Sequence, residues 1–238
     1  MSPAEFLSSD RVSREEFEFP VPAGTERIRI VNFRGDVRVR NTKRAILGVY
    51  ATTQRLDEHV GALRVQPVLK DGTYVLDLGF VDDAAWPKDR VVHGRVDAGI
   101  WIPRGTPIEV ETSFGLIEVK RAKGSVQAHS VSGAISASSA QQIDLQTVTG
   151  QIVARQETGH WEGQSQIISE RGKVLAAVPF FADMALDARA GGAFTVDPGL
   201  PTPVASDGGY TLLRQFGAGT QPLVIRAGGD LHLVPVLK

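Results

Sequence analysis

The chain has 238 residues, 26 Lys and Arg against 27 Asp and Glu, five His and no Cys. That length allows one large domain or two small ones, with core enough to need no staple, and the missing Cys excludes disulfides, iron–sulfur clusters, Cys-ligated zinc and thiol nucleophiles. A net charge of −1 lacks the basic footprint of a nucleic-acid binder, and 42% hydrophobic with 22% charged residues is a globular composition.

Residues 1–24 read as an N-terminal cap or tail. Phe6, Leu7, Phe17 and Phe19 give this segment apolar surface to lay over a first coil. The opening MSPAEFLSSD has neither the basic start nor the apolar stretch of an export signal. The chain therefore either stays in the cytosol or has had such a signal removed. Residues 25–107 read as irregular coils. Residues 28–31 and 37–40 alternate around Gly35, and 45–53, 62–69 and 74–78 read as further strands. Residues 13–17 and 56–63 are the short helix candidates. Residues 80–95 are the least patterned and read as a loop, after which residues 100–103 lead through Arg104-Gly105-Thr106-Pro107.

Residues 108–198 carry an internal repeat. Gly115, Gly124, Gly133, Gly150, Gly159 and Gly172 punctuate it at spacings of 9, 9, 17, 9 and 13. Ile117, Val126, Ile135, Ile152, Trp161 and Val174 each stand two places after a glycine. Every second glycine gives a near-copy: TSFGLIEV, SVSGAISA, TVTGQIVA, SERGKVLA and ARAGGAFT. A five-residue strand plus a four-residue corner accounts for the half-period. Glycine at the corner supplies positive φ. The Ser or Thr three places earlier is poised to bond local backbone or the next coil. The repeat lacks the Asn-Gly pairs of ordinary hairpins. A period of about 20 with this pattern predicts an all-β chain, a single β-solenoid or parallel β-helix-like stack with 18–20 residues per coil. Ile117, Val126, Ile135, Ile143, Leu145 and Ile152 should point inward, and Glu118, Gln127, Ser136, Asp144 and Gln151 outward. Residues 199–238 read as closing coils, with alternation at 223–226 and 231–234. The longest apolar run, 174–182, contains Pro179 and is too short for a helical membrane span of about 20 residues.

The segments FPVPAG, IRIVNFRGDVRVRN, WIPRGTPIEVETSFGLIEVK, SVSGAISA, TVTGQIVA and IRAGGDLHL, in that order and spacing, resemble the bacterial "putative adhesin" β-solenoid domains. The resemblance covers residues 17–238. It implies a parallel stack and an extracytoplasmic or cell-surface role, and it carries over no catalytic residue. The chain departs from the family in keeping Asp after the glycine only at Gly35-Asp36 and Gly229-Asp230.

Candidate chemistry is sparse. No two His stand at metal-site spacing, although stacking would align His129 with Glu111, Gln146 and Ile168. Glu118, Asp144, Glu157, Glu162 and Glu170 share no repeat position, so they build no acidic column for polysaccharide cleavage. Ser132-Gly133 and Thr149-Gly150 lack a nucleophile elbow, and Gly191-Gly192, Gly208-Gly209 and Gly228-Gly229 precede strands rather than phosphate-binding helices. Lys120, Arg121 and Lys123 form a small basic corner that reads as a solvated turn. Trp161 stands at an inward position. Trp86, with Asp82 and Asp83 in the same loop, is the candidate ligand contact, for a sugar or Ca²⁺. No cofactor is expected. The leading expectation is a non-enzymatic structural or adhesin-like module that binds an unidentified surface or protein partner through flat polar faces. It would bind no nucleic acid, insert in no membrane, and be a monomer or small homo-oligomer whose C-terminal edge, guarded only by Pro235 and Lys238, is the more adhesive. The alternatives are a cytosolic self-assembling scaffold and a β-helical enzyme acting on polysaccharide.

Overall fold

The computed structural model describes residues 12–55, 61–81, 94–180 and 183–236, and among them every regular element is a strand. The N-terminal part contains β1 (Val12–Pro20), β2 (Arg27–Arg34), β3 (Val37–Thr42), β4 (Ile46–Arg55), β5 (Leu63–Arg64), β6 (Val68–Lys70), β7 (Thr73–Phe80) and β8 (Gly94–Pro103). Ser13–Phe17, expected as helix, lies in β1. There Phe17 and Phe19 alternate with Glu16 and Glu18, a period of two that puts both rings against the core. The other helix candidate falls mostly on residues 56–60, outside the described residues. The strand expected over 62–69 is two short pieces, β5 and β6, both antiparallel to β7. Pro67, which has no N–H to donate, stands between them.

The regular repeat is β9 (Ile108–Phe114), β10 (Ile117–Ala122), β11 (Val126–Ser130), β12 (Ile135–Ser139), β13 (Ile143–Thr147), β14 (Ile152–Gln156), β15 (Ser165–Ser169) and β16 (Val174–Val178). Consecutive strands alternate between two sheets, and from β9 to β14 each pairs in parallel with the strand two places on. Two strands thus make one coil. Ile117, Ile135, Ile152 and Val174 stack in register as one buried column, with Val119, Ala137, Ala154 and Ala176 as the next. All six expected inward residues are buried, and none of the five expected outward ones is. Ile135→Asp should therefore abolish cooperative melting, because an unpaired buried carboxylate costs several kcal/mol, whereas Ser136→Asp should melt within a few degrees of the parent. Equal melting temperatures would refute the assignment.

One corner of each coil is built from a fixed device. Ser130 Oγ accepts from Gly133 N at 2.8 Å, Thr147 Oγ1 from Gly150 N at 3.1 Å, and Ser169 Oγ from Gly172 N at 2.9 Å. Thr147 and Ser169 also donate to the carbonyls of Gly133 and Gly150 one coil back, at 3.2 and 2.8 Å. The hydroxyl bonds both its own corner and its neighbour, so buried Ser and Thr are satisfied. The glycines do not all serve by positive φ, as the sequence suggested. Gly35 and Gly115 have φ of 128° and 143°, but Gly133, Gly150 and Gly172 do not lie in that region. At these three, a Cβ would collide with the carbonyl oxygen of the glycine one coil back. Close approach of stacked backbones, not turn geometry, excludes other residues there.

The last part contains β17 (Met184–Ala190), β18 (Phe194–Val196), β19 (Val204–Ser206), β20 (Gly209–Gln215), β21 (Gln221–Ala227) and β22 (Leu231–Pro235). Coil order in space departs from chain order at both ends. The β21–β22 coil lies between β15–β16 and β17–β18. The β2–β3 coil lies between β7–β8 and β9–β10. The expectation that the chain's end forms an open edge is therefore incorrect: β22 is bonded on both sides. ARAGGAFT does not follow SERGKVLA in the stack, because AGGDLHL comes between them. The outermost described strands of the ten-stranded sheet are β1, antiparallel on β4, and β18. Those of the other sheet are β5 and β19. Val12–Pro20 is thus the end strand of its sheet, with Phe17 and Phe19 against the core, and residues 1–11 are outside the described set.

The two Gly-Asp sites mark the two inserted coils. Asp36 Oδ1 accepts from Leu116 N at 3.0 Å, and Asp230 Oδ1 from Ala193 N at 3.1 Å. Each carboxylate satisfies a corner N–H of the adjoining coil.

Candidate functional site

Trp86, Asp82 and Asp83 lie outside the described residues. Trp161 is buried in the core at 2% exposure, as its inward position implied. Trp101 is the indole turned outward among the described residues, at 40% exposure. In β8 Ile100 and Ile102 face the core, so Trp101 projects from the opposite face of the ten-stranded sheet. Its register partners there are Gly48 on β4 and Arg40 on β3.

Two glycines flank the indole. A Cβ at Gly48 would stand 3.6 Å from Trp101 Cε3, and one at Gly99 would stand 3.6 Å from Cη2. The outer edge of the six-membered ring therefore runs past both glycines, and the indole stays 40% exposed. Tyr50, 39% exposed on the adjacent β4, flanks it. Glu16, Glu18, Thr42, Arg44 and Ile46 complete a hollow of about 220 Å³ beside the ring.

Part of the polar rim is ion-paired, while Glu16 adds a further carboxylate. Arg44 donates to both oxygens of Glu18 at 2.6 Å each, a fork-on-fork pair. The guanidinium holds the Glu18 carboxyl below the usual range, and the carboxylate raises Arg44 in turn. Arg40 donates to Glu118, which also pairs with Lys120 at 2.8 Å. Lys120 and then Arg40 hold Glu118 below its ordinary 4.5. Its ionised form is therefore favoured by folding. That contribution is complete above pH 4.5 and disappears as the pH falls through the lowered folded value. Glu118→Gln should accordingly melt below the parent at neutral pH, with the gap narrowing in acid. A gap independent of pH would contradict this linkage.

Other candidate chemistry does not converge. His129 and Glu111 are register partners, as stacking implied, but Glu111 accepts from Arg29 Nη2 at 2.8 Å. Of the basic corner, Lys123 pairs with Glu157 at 3.2 Å and Arg121 takes a left-handed φ of 54°. Among the described residues no three His, Asp or Glu side chains are grouped to hold a metal ion, and no helix is long and apolar enough to cross a membrane. The sequence points to Trp86, yet the alternation of GRVDAGIWIP sets Trp101 on the face opposite Ile100 and Ile102. Gly48, its cross-strand neighbour, comes from a distant strand and has no local signal.

No protein-family model and no curated protein sequence matches the chain. Among solved structures, a "putative cell adhesion protein" from Clostridium sporogenes superposes with a TM-score of 0.52 at 13% identity, over 94% of this chain and all of the other. A "putative adhesin" from Bacteroides fragilis gives 0.37 at 10% identity, over 94% and 97%. The chain shares its all-β fold with the Clostridium protein.

Proposed function

We propose that the chain is a non-enzymatic, adhesin-like β-solenoid module, exported or surface-associated, that binds its partner through the outer face of the ten-stranded sheet. The observation that carries this reading is Trp101, 40% exposed beside a hollow lined by Glu16, Glu18 and Arg44. An exposed, supported aromatic in a polar rim is the usual anatomy of a binding anchor. The fold likeness to the Clostridium protein supports the adhesion half of the reading. Against an end-joined scaffold, the C-terminal edges β18 and β19 have three residues each and the N-terminal edge β1 carries Glu15, Glu16 and Glu18.

The test is equilibrium binding of labelled full-length protein to intact bacterial cells and to coated extracellular-matrix surfaces. Saturable binding is expected on at least one surface. Linear, unsaturable adsorption on all of them would overturn the proposal.

A further inference from the structure

The hollow beside Trp101 has the size and the hydrogen-bonding groups for one ligand chemistry. We propose that it binds one uncharged pyranose unit of a glycan, stacked on the free indole face with its hydroxyls held by Glu18 and Arg44. This rests on the adhesin-like reading and names its ligand class.

The open ring face is flat and electron-rich, and the C–H face of a pyranose is flat with positively polarised hydrogens. A Cβ at Gly48 or Gly99 would only touch the indole at ordinary contact distance, whereas a long side chain at either would crowd it. At about 220 Å³ the hollow is smaller than the roughly 300–1,000 Å³ of a drug-sized pocket and matches a single ring. The Glu18–Arg44 pair leaves lone pairs on both carboxylate oxygens and further guanidinium N–H groups. Neighbouring hydroxyls can donate to the first and accept from the second without breaking the pair. An anion is disfavoured, because Arg40 and Arg44 are both paired with carboxylates and Glu16 adds a further negative charge to the lining. The main competitor is a quaternary ammonium or lysine side chain on the same ring, and the choline arm of the experiment decides between the two.

Saturation-transfer NMR and calorimetry on the full chain decide this, using methyl pyranosides of glucose, galactose, mannose and N-acetylglucosamine, their short oligomers, and choline as the cationic control. At least one pyranoside should bind with a dissociation constant on the order of 1 mM. Its ring C–H protons should show the strongest transfer and an upfield ring-current shift. Trp101→Ala should lose at least tenfold in affinity with an unchanged melting temperature, since the side chain faces outward. Trp101→Phe should retain part of the affinity, and Glu18→Ala should weaken binding without moving the ring-current shift. Choline binding with no pyranoside bound, pyranoside binding indifferent to Trp101→Ala, or no binding in either arm would each overturn the proposal. Surface binding by the full chain that persists without any pyranoside affinity would overturn the ligand assignment alone. Pyranoside affinity without surface binding would overturn the adhesin-like reading alone.

Discussion

A chain ending at Thr220 is expected not to fold. The truncation removes β21 and β22, which are last in sequence but interior in space. Each sheet loses a strand bonded on both sides, so β15 and β17, and likewise β16 and β18, face a gap one strand wide. Leu223, Ile225, Leu231 and Leu233, all fully buried, go with them. Losing one buried Leu or Ile side chain costs about 2–5 kcal/mol, and four together, about 8–20 kcal/mol, are comparable to the whole of the roughly 5–15 kcal/mol that holds a domain folded. A stack whose coils followed chain order would lose only a terminal unit and survive shortened. Circular dichroism melting and limited trypsin digestion distinguish the two cases. A soluble truncated chain with a sharp transition would show that this coil is not inserted. The mirrored arrangement at the other end, with β2–β3 between β7–β8 and β9–β10, gives the same logic to the N-terminal coil. Folding cannot simply propagate along the repeat from one end. Both terminal coils must find an interior slot, which makes the stack one cooperative unit at the cost of non-local pairing and slower folding.

Most of the repeat was legible in the sequence because its signal is local. Alternation places Ile117 and Glu118 on opposite faces whatever surrounds them. The glycine spacing aligned Glu111, His129, Gln146 and Ile168 in one row before any pairing was known, and that is their register. The insertion of the terminal coils was not legible. AGGDLHL and ARAGGAFT have equal claims on the slot beside β16, and the choice depends on the length of chain between them. The Asp71-Gly72 and Asp207-Gly208 pairs were the available clue. They turn β6 into β7 and β19 into β20, antiparallel pairs that interrupt the coiling at either end. At the candidate site, Trp101 was readable from β8 alone. Its rim comes from β1, β4 and the segment after β3, and no local pattern joins Glu18 to Arg44.

Gly133→Ala is expected to be among the most damaging single substitutions, although it adds one methyl group and meets no side-chain core. A Cβ at Gly133 would fall on the carbonyl oxygen of Gly115 and within 2.8 Å of Ser130 Oγ, the hydroxyl that bonds the Gly133 N–H. Neither obstacle can swing aside. The carbonyl belongs to the strand connection one coil back. It is fixed by the parallel pairing of β10 with β12, where Ile117 N donates to Ala134 O at 2.9 Å. Relief requires the two coils to separate, which breaks the corner hydrogen bond and opens the Ile117–Ile135 column together. Overpacking usually costs about 1–3 kcal/mol where neighbours can repack. With rigid backbone on both sides and a buried N–H left unpaired at a further 1–3 kcal/mol, the loss should reach about 4 kcal/mol. Gly150→Ala and Gly172→Ala repeat the geometry and should behave alike. Gly99→Ala is the control: its Cβ would make ordinary contact at 3.6 Å with Trp101, and its φ is outside the left-handed region. It should leave stability unchanged or raise it by about 0.4–1 kcal/mol through the unfolded chain. Urea titrations of the four variants measure the difference. A Gly133→Ala midpoint equal to that of Gly99→Ala would mean that the corners flex enough to admit a methyl group and that close backbone approach does not exclude other residues there.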